Sequence, residues 1–211
     1  MDINNKYINE VQLDEINWKN LVGTYHKGEI FLKYYNDISS GDIKKLKEGL
    51  EKIEVEIEHQ DTLWPLTPFV MIFLGRLLTS AQQHFEENPD DEEIKFYKVL
   101  AEKILDIFNI VAEALDFAKE NGMEFLEENI YPKMDELLNT EEMQSILEED
   151  FEDEEEYEEV FYEEVLTEKV YCSTVYYTEL VLENFKDIIK KLENNQEENI
   201  REIARKINTI L

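Results

Sequence analysis

Cysteine is almost absent from this 211-residue chain, where Cys172 stands alone. No intramolecular disulfide can form, and a single thiol fits a reducing compartment, so the expected location is the cytoplasm. Glycine and proline are scarce, at 6 and 4, which argues against the many tight turns of a β-sandwich. Bases are outnumbered, with 21 Lys and Arg against 51 Asp and Glu, for a formal charge of −30. That field repels nucleic acids and anionic lipid surfaces, since phosphate binding rests on lysine and arginine. Neither direct nucleic-acid binding nor membrane binding is therefore expected. Long apolar runs are missing too. The most apolar stretch, residues 63–75, is closed by Arg76 and falls short of the roughly 20 residues of a membrane span. Residues 1–10 are polar and lack the basic-then-apolar order of a secretory signal.

Apolar side chains are nevertheless plentiful, at 43% of residues, enough for a core in one domain spanning 1–211. Their spacing is helical. Ser39, Ser40, Gly41 and Asp42 mark a helix start, followed by Ile43, Leu46, Leu50, Ile53 and Ile57 at intervals of three and four. Short helical pieces precede it, carrying Tyr7, Ile8 and Val11, then Phe31, Leu32, Tyr34 and Tyr35. Residues 59–67 read as a loop whose Pro65 and Pro68 open the next helix, with Trp64 as a core plug at its entry. From Phe69 to Leu74 every residue is apolar, so this helix should lie at the centre of the core. The longest periodic run, from Ile94 through Leu105 and Phe108 to Ala118, predicts a helix over about 91–121, stopped by Asn121 and Gly122. Residues 125–138 read as a shorter helix disturbed by Pro132, and Thr140 can cap a turn bearing Met143. Residues 170–178 have the composition of a strand. No second strand is there to pair with them, so helix is the better reading. A last amphipathic helix carries Ile200, Ile203 and Ile207. The expected fold is all-α, an irregular multi-helix bundle of roughly six to nine helices with one long central helix.

Charge is unevenly spread. Residues 134–168 contain no Lys or Arg and hold 17 of the 51 acids, so this sixth of the chain carries more than half of the net charge. Runs of like charge are commonly solvated faces. Here, however, Phe151, Tyr157, Val160, Phe161 and Tyr162 are threaded among the acids, and a docking surface uses aromatics as anchors within a charged rim. Clustered carboxylates also repel one another, and a cationic partner relieves that repulsion while being steered toward it. The expected contact surface is Glu152, Asp153, Glu154, Glu155, Glu156, Tyr157, Glu158, Glu159, Phe161, Tyr162, Glu163 and Glu164, with Tyr157, Phe161 and Tyr162 as anchors.

Catalytic patterns are weak. Glu56 and His59 have the Glu-x-x-His spacing of di-iron bundles, but that chemistry needs a second such motif, and neither His26 nor His84 has a Glu three residues earlier. Glu51 with Glu54, and Glu113 with Asp116, have the paired-acid spacing of helical magnesium-dependent nucleotide hydrolases, without a basic cluster to hold phosphates. No Gly-rich phosphate loop, Cys-x-x-Cys or Ser/His/Asp order appears, and Cys172 reads as a buried structural thiol. No metal or cofactor is expected. The reading is a non-enzymatic acidic protein that binds and inhibits a basic partner protein, such as a nuclease toxin (an immunity or antitoxin-like role) or a nucleic-acid-binding protein whose ligand it mimics in charge. The alternatives are a metal-dependent hydrolase and a helical scaffold or homo-oligomerisation module.

Overall fold

The computed structural model describes residues 3–88, 91–121, 127–139, 143, 157 and 160–211. Among them the protein is an all-α, irregular multi-helix bundle around one long helix. Helix α1 (Ile3–Glu10) leads through two single 3-10 turns, Leu13–Glu15 and Trp18–Asn20, where Ile16 and Trp18 enter the core. Helices α2 (Ile30–Ile38) and α3 (Ile43–Ile57) pack against each other. Asp42 caps α3 as the serine-rich start implied, its carboxylate accepting from the Lys44 and Lys45 amides at 2.8 and 3.3 Å. Both bonds favour the ionised form and hold its pKa below the usual carboxylate range.

A two-residue ladder, β1 (Glu58–His59) with β2 (Thr62–Leu63), interrupts the helices where a plain loop is expected. Its turn places Gln60 and Asp61 at positive φ, 52° and 61°, and the Glu58 carboxylate accepts from the Asp61 amide at 2.8 Å. Trp64 is fully buried beyond it, as its place beside two prolines suggested.

Helix α4 (Thr67–Glu87) begins with Pro68 at its first turn and buries every residue from Thr67 to Gly75. The 27-residue α5 (Ile94–Glu120) is the central helix, touching α3, α4, α6 (Glu168–Leu192) and α7 (Glu198–Ile210). The strand-like stretch 170–178 lies within α6. Its Thr178 hydroxyl donates back to the Thr174 carbonyl at 2.7 Å, which satisfies a β-branched residue inside a helix. The expected helix over 125–138 is replaced, among the described residues, by 3-10 turns at Glu127–Asn129 and Met134–Asn139. Pro132 lies between them, where its ring and missing N–H prevent a continuous helix. The turn expected after Thr140 lies outside the described residues except for Met143, which is buried.

Arg76 does more than close an apolar run. Its guanidinium donates to the carbonyls of Ile8 at 2.8 Å and Val11 at 2.6 Å, supplying the C-terminal cap of α1. It also lies 5.1 Å from the Phe73 ring centroid. An eight-residue helix does not hold by itself in water, so α1 depends on this cap and on its buried Ile8. Arg76→Met is expected to cost about 1.5–3 kcal/mol, the range for hydrogen bonds to a charged donor. Arg76→Lys should recover less than half, because an ammonium cannot fork to two carbonyls in the same way. Denaturant midpoints, with amide exchange across residues 3–11, provide the measurement.

Candidate functional site

Two aromatics that the sequence places among the acids, Tyr157 and Phe161, are buried. Residues 152–156, 158 and 159, and the side chains of Glu163 and Glu164, lie outside the described residues. Tyr157 is 6% exposed and donates its hydroxyl to the Gly23 carbonyl at 3.1 Å. Burial, then the charge of Glu56, pushes the Tyr157 pKa far above its ordinary value, so the phenol remains a donor. Phe161 is fully buried and stacks on Trp64 with ring centroids 3.7 Å apart. Tyr162 alone of the three keeps a large exposed fraction, 41%, with its ring edge-on to Trp64 at 6.0 Å. The expectation that Tyr157 and Phe161 face outward as anchors is thereby corrected. An aromatic ring buries roughly 150–250 Å², and the nearest place to do so is the core of the same chain. Residues 161–165 form a π-helical turn, in which the Leu166 amide reaches the Phe161 carbonyl at 2.9 Å. Thr167 then caps α6.

Tyr157 docks onto a loop that is itself organised by a buried carboxylate. Glu56, on the last turn of α3, is 4% exposed. Its Oε2 accepts from the backbone amides of Tyr25 and His26, each at 3.2 Å, and its Oε1 from His26 Nδ1 at 2.5 Å. The Glu56 carbonyl also accepts from the Thr24 amide at 3.0 Å. Residues 21–28 close around it, with the Gly23 amide donating to the His26 carbonyl and the Gly28 amide to the Leu21 carbonyl. Gly23 is needed for this approach. A Cβ there would lie 2.9 Å from Glu56 Oε2 and 3.0 Å from the Glu56 carbonyl oxygen.

Outside the carboxylate is an open surface groove lined by Tyr25, Tyr34, Val55 and His26. Glu48, Glu51 and Lys52 form its rim, and the Lys52 ammonium lies over the Tyr34 ring, 5.5 Å from the centroid. A second cleft of about 380 Å³ opens where α4 and α5 meet the α6–α7 turn. It is bridged by Lys98–Glu197 at 2.6 Å and Lys191–Glu86 at 4.0 Å, so its charge is compensated internally.

Other sequence candidates are dispersed. Helix α3 ends at Ile57, so Glu56 and His59 do not share a helical face; Glu56 engages His26, and the His59 ring stands edge-on to Tyr25 at 5.6 Å. Glu54 is half-buried among charges on α5 that include Lys103 and Asp106, and burial raises its pKa. Glu113 is bonded to Lys206 of α7 at 2.5 Å, which lowers its pKa. The two acid pairs therefore serve different contacts. Among the described residues no group of three His, Cys, Asp or Glu is placed to hold a metal ion. Cys172 is buried, and burial pushes its thiol pKa up.

Sequence reasoning passed over Glu56 as a partner of His26. The available signal was its register: Gly49, Ile53 and Glu56 fall on one face at i, i+4 and i+7, placing a carboxylate on the buried stripe of α3. In comparisons with known proteins, the chain matches no family model, no curated protein and no solved structure.

Proposed function

We propose that the protein is a cytoplasmic acidic inhibitor that neutralises a basic partner protein, in the manner of an immunity or antitoxin-like protein against a nuclease, or of a nucleic-acid charge mimic. One observation carries this reading: 17 acids and no base lie within 134–168 of a chain whose net charge is −30. A cationic surface built to hold phosphates accepts a dense array of carboxylates by the same electrostatics. The distribution of bases elsewhere supports it. Lys119–Glu179 links α5 to α6 and Lys206–Glu113 links α5 to α7, each at 2.5 Å. Each of these two lysines braces one helix to another. No helix among the described residues is long and apolar enough to cross a membrane.

The test exchanges Glu154, Glu155, Glu156, Glu158 and Glu159 for Gln. Purified basic nucleases and DNA-binding proteins are then assayed for binding to both forms at low and high salt. The wild-type protein should retain a basic partner at low salt and release it at high salt. The variant should bind it at least about tenfold more weakly, equivalent to roughly 1.4 kcal/mol. Equal binding by both forms would remove the segment as the contact surface.

A further inference from the structure

We draw no further inference here: the strongest candidate, the cleft where α4 and α5 meet the α6–α7 turn, has both of its lysines paired with its glutamates and its buried Gln82 amide already donating to Glu86 at 2.9 Å, so nothing among the described residues there points to a ligand.

Discussion

Glu56→Leu is expected to destabilise the protein by about 3–5 kcal/mol, because two backbone amides and a ring nitrogen lose their acceptor at once. The magnitude follows from what is left behind. The Tyr25 and His26 amides both donate to Oε2, and a buried donor without an acceptor costs about 1–3 kcal/mol. The His26 ring adds less, since half of that side chain reaches water and can rehydrate. Glu56→Gln retains an acceptor oxygen for the two amides, so it should cost roughly half as much. His26→Ala should fall below about 1 kcal/mol, as expected of a half-exposed partner. Denaturant unfolding with an unchanged m-value is the measurement. A Glu56→Leu cost near that of His26→Ala would mean that the carboxylate does not organise the loop. The effect should also propagate. Tyr157 bonds the Gly23 carbonyl within this loop, so Tyr157→Phe, alone worth about 1 kcal/mol, should cost measurably less in a Glu56→Leu background.

The long helices were legible because each has one physical cause visible in one dimension. Leu46, Leu50, Ile53 and Ile57 repeat at the helical period and are all buried on α3. Asp42 announces the start of that helix, and Asn121 the end of α5, as capping chemistry requires. The illegible parts are set by contacts distant in sequence. Gln60 and Asp61 take up positive φ without a Gly, and only Asp61 is of a type that commonly does so, so the turn is weakly marked in the sequence. Among the described residues the stretch 127–139 forms 3-10 turns although its apolar spacing suits a helix; the Met134 amide is taken by the Asn4 side chain at 3.0 Å, 130 positions away. The candidate sites divide the same way. An excess of acid is a sum over residues and can be read directly. Which of the acids is buried, as Glu56 is, and which of the aromatics between acids turn inward, as Tyr157 and Phe161 do, depends on Gly23 and Trp64 being brought to them.

Gly75→Ala, a change that ordinarily strengthens a helix, is expected to weaken this protein. In a helix interior alanine is favoured over glycine by about 1 kcal/mol, so an uncrowded Gly75 would yield a gain. Here α4 crosses α6 with Phe185 laid against the glycine, and an added Cβ would fall 2.3, 2.4 and 2.5 Å from three of its ring carbons. The overlap involves one whole side of the ring, so a small torsional adjustment does not relieve it. The ring is also largely buried, at 7% exposed, which leaves separation of the two helices as the main way out. Overpacking of this kind costs about 1–3 kcal/mol and occasionally more, and it outweighs the propensity gain, for a net loss of about 1–2 kcal/mol. The companion experiment reverses the sign. Phe185→Ala alone should cost about 3 kcal/mol, the lower end for deleting a buried phenylalanine, because the ring is not wholly enclosed. In that background Gly75→Ala meets no ring, regains its helix preference and fills part of the space, so it should stabilise. A double-mutant cycle from denaturant midpoints measures the coupling, expected at about 2–3 kcal/mol. If Gly75→Ala stabilises the otherwise unaltered protein, α4 and α6 do not approach as closely as the Phe185 contact requires.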